Sequence, residues 1–420
     1  MKIAIIGSGI SGLTAAYYLK DRFDITLFEK NTYLGGHTNT IECSWRNHQY
    51  AIDTGFIVFN KKTYPNFLKL LDDLYVEYRP TTMSFSVRDD DLNFEYAGSS
   101  LKTLFCQKRN ILNIHFYQMI IEILRFNKYC KDTKTIDALS VDEFLTRYNF
   151  HRYFKEYYLL PMCASIWSTD INKVKSTPLK FLVNFFNNHG LAQIKDRPQW
   201  YVIKGGSHEY IKKLARNLHT KLLTDTSIWK VSRNNHGVTV YGRSGLQEDF
   251  DRVIFACHSD EALNLIDRPS KEEQQTLGAI DYQTNQAILH LDTRLLPKNK
   301  SAWSAWNFSS STQLSQSPIV TYHMKTLQNL KDNDPDFCVT LNGMELIDKK
   351  LILKVIEYAH PVIDQKAVDA QSRIDTINGK NNTYFCGAYW GNGFHEDGVV
   401  SGMHAAQKLI EEIDGKQLSL

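Results

Sequence analysis

The sequence of 420 residues holds no run of about eighteen apolar residues, so no segment of it reads as a membrane-spanning helix. It also has no CxxC pair. Its seven cysteines (Cys43, Cys106, Cys130, Cys163, Cys257, Cys338 and Cys386) are scattered and odd in number. That distribution speaks against a disulfide framework and against a zinc or other metal site, and it fits reduced thiols in a cytoplasmic compartment. An excess of either charge is missing too: 49 Lys and Arg stand against 46 Asp and Glu, a formal net charge of +3, too balanced to point to a nucleic-acid partner. No internal repeat and no low-complexity linker interrupts the chain. The first apolar strand begins at Lys2, which leaves no room for a signal peptide. These absences predict a cytoplasmic protein. Its length predicts two domains, and its hydrophobic content of 43% is ample for their cores.

What is present is concentrated at the start. Lys2-Ile3-Ala4-Ile5-Ile6 reads as a strand, Gly7-Ser8-Gly9-Ile10-Ser11-Gly12 as a tight turn, and 13–19 as a helix; 25–28 reads as a second strand that ends in Glu29. This is a βαβ dinucleotide fingerprint with its acid in place. Gly7, Gly9 and Gly12 allow the turn, the approach of backbone to a pyrophosphate and the packing of helix on strand. The helix start, with Ser8 and Ser11 beside it, presents N–H groups to phosphate charge, and Glu29, followed by Lys30, accepts hydrogen bonds from a ribose. Taken alone, these residues fit NAD or FAD.

The next segments separate the two. Gly35-Gly36-His37-Thr38 places a glycine pair shortly after the acid, where an NAD dehydrogenase would enter its next helix. A second close approach of backbone to phosphate or ribityl chain suits such a pair. An apolar strand broken by Asp53-Thr54-Gly55-Phe56 follows. With this order of motifs the chain resembles the flavin amine oxidase and phytoene desaturase superfamily, whose pattern runs GxGxxG, Glu, Gly-Gly, then Asp-x-Gly. Trp229-Lys230-Val231-Ser232 resembles the strand whose backbone, here at Val231, brackets the FAD adenine. Val253 to His258, including Ala256, resembles the strand and turn over the pyrophosphate. The run from Gly387 to Gly402 resembles the segment that meets the ribityl chain, with Asp397-Gly398-Val399 opening the last helix. Gly387-Ala388 stands where many relatives have Gly-Glu or Gly-Asp, which removes one polar contact. The resemblance implies noncovalently held FAD.

The flavin segments are dispersed, so the resemblance implies an α/β, Rossmann-type FAD-binding domain (1–79, 200–275 and 371–420) with a discontinuous mixed α+β substrate domain (80–199 and 276–370), amine-oxidase-like. Periodicity predicts helices at 111–129 and, after Ser140 as a cap, at 141–148. Strands are predicted at 286–291, 302–308, 319–323, 337–341 and 351–358. A helix at 209–217 is expected to be capped by Ser207. The segment 111–126 is apolar round most of its circumference, with Arg125 near its end and Lys128 and Lys131 after it. A buried helix of the insert is the commoner reading, and a helix lying on the inner membrane surface is the alternative.

A flavin takes the electrons itself, so catalytic side chains position substrate and tune the ring. Two histidines stand out. His395, two residues before Asp397, fits a base, a substrate-orienting group or a flavin partner, and equally a structural histidine tied to its loop. His360-Pro361 fits the flavin neighbourhood and equally a surface turn. Tyr389 and Trp390 only partly supply the aromatic cage of an amine oxidase. The aromatic segment 159–168, with His290, Trp303, Trp306 and Asn307, fits an apolar pocket or simply core.

Within the superfamily the chain is similar to bacterial NAD/FAD-binding oxidoreductases related to the flavoprotein part of plant cyclopropane-fatty-acid synthases. The Gly-Phe-His-Glu-Asp-Gly run at 393–398 is the most specific piece. That resemblance implies an oxidoreductase that oxidises or desaturates an apolar, fatty-acyl or lipid-like substrate. It leaves open an amine oxidase, and a non-catalytic flavoprotein partner of a lipid methyltransferase.

Overall fold

The computed structural model describes residues 1–131, 139–167, 170–193, 196–310 and 319–417. Five parallel strands form one sheet, in the order Lys221–Leu223, Asp24–Phe28, Lys2–Ile6, Arg252–Phe255, Thr383–Phe385. Both faces of its central strand are covered, which is why 3–6 is continuously apolar rather than alternating. Ile3 and Ile5 pack with the first helix (Ile10–Leu19) and the last (His395–Gln417), while Ala4 and Ile6 face a three-stranded antiparallel sheet of Ile228–Asn234, Gly237–Gly242 and Gln247–Phe250. Each fully buried Ile contributes about 1.5–3 kcal/mol.

A second, seven-stranded sheet runs in the order Ile352–Pro361, Tyr282–His290, Cys338–Leu341, Ile319–His323, Trp306–Ser310, Phe85–Asp89, Phe94–Ala97. Its pairings are antiparallel except between Trp306–Ser310 and Phe85–Asp89. Helices Ile114–Lys131, Val141–Arg147, Leu160–Trp167 and Leu179–Asn188 lie against one end of it around an aromatic core that includes Phe116, Phe126, Phe144, Phe154 and Phe186. Trp200–Ile203 pairs with Phe59–Asn60 and Tyr78–Thr81 where the chain returns towards the parallel sheet.

Several expected boundaries move for local reasons. The helix expected from 111 starts at Ile114, because the Asn113 side chain accepts the N–H groups of His115 and Phe116 while Lys108–Leu112 makes a 3₁₀ turn. Leading into the aromatic segment, Lys155–Leu159 is a π-helical turn. Pro161 has no N–H for the carbonyl of Tyr157, and the Tyr96 hydroxyl donates to that carbonyl at 2.6 Å instead. The strand expected at 302–308 begins only at Trp306, since Asn307 Oδ1 accepts the Ser304 N–H and holds the preceding residues in a turn. The strand from Ile352 continues through His360 to Pro361. Ser140 caps Val141–Arg147 with a full capping box, as its position suggests. Ser207 makes no side-chain cap: its hydroxyl donates to the Phe56 carbonyl. Ser168 lies outside the described residues. Among them, no helix is long and apolar enough to cross a membrane.

Candidate cofactor site

The glycine loop is built as its spacing demands. Gly7 has φ +108°, and a Cβ on it would stand 2.7 Å from the Ala256 carbonyl oxygen; a Cβ on Gly12 would collide with the carbonyl of Gly7. Gly9 differs: a Cβ there meets nothing within 4 Å. So Gly7 and Gly12 are small because protein touches them, and Gly9 is small beside open space at the N-terminus of a helix without a side-chain cap. Uncapped N–H groups facing open space form a cradle for a pyrophosphate. Behind it, the buried Glu29 carboxylate accepts the N–H and hydroxyl of Ser8 at 3.0 and 2.6 Å with one oxygen, and Asn31 groups at 2.8 and 2.9 Å with the other. The acid is thereby fixed at the loop it serves. Lys30 turns outward to Glu261.

The second glycine pair abuts the first loop. Gly35 bridges Gly9, and the Ser8 carbonyl accepts its N–H at 3.0 Å. Gly55 is excluded from carrying a side chain by the carbonyl of His37, which also accepts the Phe56 N–H. Asp53 is wholly buried. One oxygen accepts Thr40 Oγ1 and the Ser207 N–H at 2.6 and 2.8 Å, while Oδ2 has no partner, and burial pushes the carboxyl up to about 6. Thr54 joins its hydroxyl to that of Tyr358 at 2.9 Å. On the last helix, Gly398 and Gly402 lie against Ile10 and Ser11 of the first, and Val399 enters the shared core. Ser401 Oγ accepts the Gly387 N–H. Val231 departs from expectation. Its side chain is in the core and its carbonyl accepts the Asp267 N–H at 2.9 Å, because 266–267 lies along that strand as a parallel bridge. Its backbone is occupied where the resemblance would have it bracket an adenine.

The two candidate histidines occupy different settings. His395 is 8% exposed, stacked on Phe56 at 3.7 Å between ring centroids and edge-on to Phe67. Its Nε2 lies 2.6 Å from Tyr210 Oη and 3.2 Å from Thr38 Oγ1, and burial lowers its pKa to about 3. This ring is a neutral wedge between the FAD-side elements. His360, half-buried, ends the outermost strand of the seven-stranded sheet beside His37, whose ring lies 5.2 Å away. His37 stacks in turn on Tyr358 at 4.9 Å and neighbours His258, itself stacked on Tyr282. Burial depresses all three, joined by repulsion from neighbouring histidines at His37 and His360: His360 falls to about 4, while His37 and His258 also drop. All are uncharged at neutral pH. Asn285 Nδ2 donates to the Gln283 carbonyl and to His360 Nδ1 at 2.9 Å, and its oxygen accepts Asn342 Nδ2. With Nδ1 accepting, the His360 proton sits on Nε2, so the ring presents a neutral donor.

Asn285, Asn342 and Tyr358 went unmarked in the sequence. The available signal was a polar residue on an inward position of an apolar strand: Asn285 shares the side of Ala287 and Leu289 and is wholly buried.

The 393–398 run divides its work. Phe394 stacks on Phe185 at 5.0 Å, His395 is the wedge, and Glu396 accepts the N–H groups of Asn66 and Phe67 at the start of helix Pro65–Asp73. Asp397 accepts the Phe394 N–H at 2.8 Å at the start of its own helix, and burial raises its pKa to about 6. Tyr389 turns away into a core with Ile280, Ala367 and Ala370, so it supplies no wall of an aromatic cage. His290, Trp303 and Asn307 are spent inside the seven-stranded sheet and its turns. The aromatic wall beside the 387–398 loop is instead Trp167, Phe181, Phe185, His189 and Phe394. A cleft between Trp167, Thr177, Phe181, Pro361, Val362 and Ile363, with Lys173 at its edge, adjoins His360. Among the described residues no group of three or more His, Cys, Asp or Glu side chains is placed to hold a metal ion.

A glycine cradle with room for a diphosphate, a buried acid behind it and a last helix closing on the first fit FAD. Comparison with known proteins agrees. The family model described as flavin containing amine oxidoreductase matches residues 10–336. An L-amino-acid oxidase of Siganus canaliculatus is 23% identical over 320 residues, 68% of this chain and 56% of its own. A 1-hydroxycarotenoid 3,4-desaturase of Flavobacterium sp. (strain P99-3) is 40% identical over 86 residues, 20% of this chain and 16% of its own. The chain thus spans little more than half the length of the first of these relatives and far less of the second. Among solved structures, cyclohexylamine oxidase from Brevibacterium oxydans IH-35A superposes with a TM-score of 0.71 at 13% identity, covering 98% of this chain and 99% of that one. A CLA-producing fatty acid isomerase from P. acnes does so with 0.67 at 14%, covering 97% and 98%. The chain belongs to the family of flavin-containing amine oxidoreductases.

Proposed function

We propose that this chain is an FAD-dependent oxidoreductase that oxidises or desaturates an apolar, fatty-acyl or similar substrate. The observation that carries this reading is the aromatic wall of Trp167, Phe181, Phe185 and Phe394 beside the 387–398 loop, at whose edge lies a small cleft of about 20 Å³. Its lining is aromatic and aliphatic, and the one charged side chain on it is Lys173. An ammonium substrate would meet no carboxylate there, while a cation at the edge suits an acyl chain that ends in an anion. FAD, when bound, takes up the hydride that such a substrate loses. The chain's own residues supply the setting. Trp167, Phe181 and Phe394 exclude water, and the neutral His360 offers its Nε2–H as an orienting donor held by Asn285. The relatedness to a carotenoid desaturase and the shared fold of a fatty acid isomerase support an apolar substrate. Amine oxidation is the second reading, favoured by the fold shared with cyclohexylamine oxidase.

The test is anaerobic reduction of the FAD-loaded protein by a long-chain fatty acid, by its phospholipid ester and by a primary amine. Loss of flavin absorbance with an acyl substrate is expected. His360→Phe, which removes the donor and keeps the ring volume, should slow reduction about tenfold or more while flavin stays bound. Bleaching by amine alone overturns the reading in favour of amine oxidation. Bleaching by neither leaves the chain as a flavoprotein partner of a lipid methyltransferase.

A further inference from the structure

Helix Ile114–Lys131 carries two apolar stripes, and the fold uses one. Phe116, Met119, Phe126 and Cys130 are buried in the aromatic core. On the other side Ile114, Tyr117, Ile121 and Leu124 recur at i, i+3, i+7 and i+10 and are exposed, Ile114 by 74% and Ile121 by 64%. The stripe continues into the 3₁₀ turn before it, where Leu112 is 90% exposed, next to Ile111. Leu101, at the start of the preceding short helix, is exposed as well. No other part of the described surface gathers so many exposed large apolar side chains within a few turns of chain.

Along the chain from 98 to 131 the exposed charges have one sign. Lys102, Lys108, Arg109, Lys128 and Lys131 are exposed, and Arg125 is half-buried. Between 98 and 131 the one carboxylate is Glu122, 7% exposed and turned inward, where it accepts the His151 N–H. An exposed apolar ridge flanked along the chain by cations matches an anionic lipid surface: side chains enter the acyl boundary while lysines meet head groups. A second copy seated about a two-fold axis would bring these cations against one another. We infer that the face formed by Leu112, Ile114, Tyr117, Ile121 and Leu124 docks the protein on an anionic bilayer. The inference stands on surface geometry and does not depend on which substrate the cleft takes.

Sedimentation of the FAD-loaded chain with vesicles tests it. Vesicles of phosphatidylcholine with about a third phosphatidylglycerol should pull the protein down, pure phosphatidylcholine vesicles far less, and high salt should release most of it. Replacing Leu112, Ile114 and Ile121 together by serine should weaken binding about tenfold or more, and Lys108→Glu with Arg109→Glu by a similar factor. These side chains are exposed, so flavin content and melting of the variants should match the parent and certify their fold. The inference is overturned if anionic vesicles do not sediment the protein, if the variants bind as the parent does, or if the serine variant loses only a dimer seen by ultracentrifugation.

Discussion

At the scale of single residues, the space in front of Gly9 is the most exposed point of the site to attack. A Cβ there touches nothing, so a larger side chain is accommodated by the folded chain but stands where a pyrophosphate lies. Gly9→Trp is therefore expected to fold, with an unchanged circular dichroism spectrum, and to purify without flavin. A yellow, FAD-loaded variant would refute the cradle. Gly12 and Glu29 were readable from sequence because their neighbours Gly7 and Ser8 lie within one βαβ unit, and Gly7 was readable from the motif although the carbonyl it meets belongs to Ala256. The histidines were not. What makes His395 a wedge is Phe56, Tyr210 and Thr38, with Tyr210 185 residues away along the chain, and what orients His360 is Asn285, 75 residues away. No pattern within a few turns of sequence distinguishes the two roles. The Val231 carbonyl likewise meets a segment from a distant turn, through the Asp267 N–H.

At the scale of elements, one helix is held at its start by a residue of another. Helix Pro65–Asp73 has no side-chain cap of its own, and the carboxylate of Glu396 takes the N–H groups of Asn66 and Phe67 and the Asn66 amide at 2.7–3.0 Å. A negative charge at a helix N-terminus is favourable both as a cap and against the macrodipole. Glu396→Ala should cost about 1–3 kcal/mol in urea unfolding, and Glu396→Gln should recover part of it, since an amide oxygen still accepts. Equal stability of the alanine variant and the parent would show that water replaces the cap. The strand Ile319–His323 and the helix Val141–Arg147, with Ser140 as its cap, were legible in the sequence. The π-helical turn at Lys155–Leu159 was not, because it depends on Tyr96 reaching the carbonyl that Pro161 leaves open. The apolar circumference of 111–126 was visible in sequence, and only the packed core shows which stripe it leaves outside.

For the molecule as a whole, buried ionisable groups set how stability responds to pH. His395, His189 and His290 are buried and held at about 3, 4 and 4, chiefly by loss of water. An unfolded histidine binds its proton near pH 6.5, so below that pH the unfolded chain takes up protons that the folded one refuses. Their contribution to stability is present above about pH 6.5 and is lost as pH falls towards 4. Asp53 has the opposite sign. Its folded pKa of about 6 lies above the unfolded value, so its contribution is fully present below about pH 4 and is lost as pH rises through 6. Asp397 shifts in the same direction. The lowered histidines, His360 at about 4 among them, outnumber the two raised carboxyls, so stability falls on acidification between about 6 and 4. Chemical unfolding of the flavin-free chain is expected to show this fall. Asp53→Asn, neutral throughout, should gain on the parent most at pH 7, with the difference shrinking by about 2–3 kcal/mol towards pH 4. Parallel profiles for parent and variant would remove Asp53 from the balance.

The packing of the last helix on the first, where Gly402 meets the Ser11 carbonyl and Gly398 the Ile10 and Ser11 side chains, has a consequence in time. The cradle is opened by Gly7 to Gly12 and walled by Gly398 to Gly402, about 390 positions further along the chain, which at ~5–20 residues per second is roughly 20–80 s of synthesis. Throughout that interval the nascent chain carries an intact nucleotide fingerprint with nothing to close it. Flavin capture is thus a late event, and a chain truncated before Gly398 stays colourless however well its first half has folded. The yellow of the finished protein doubles as a record that translation ran past the last helix.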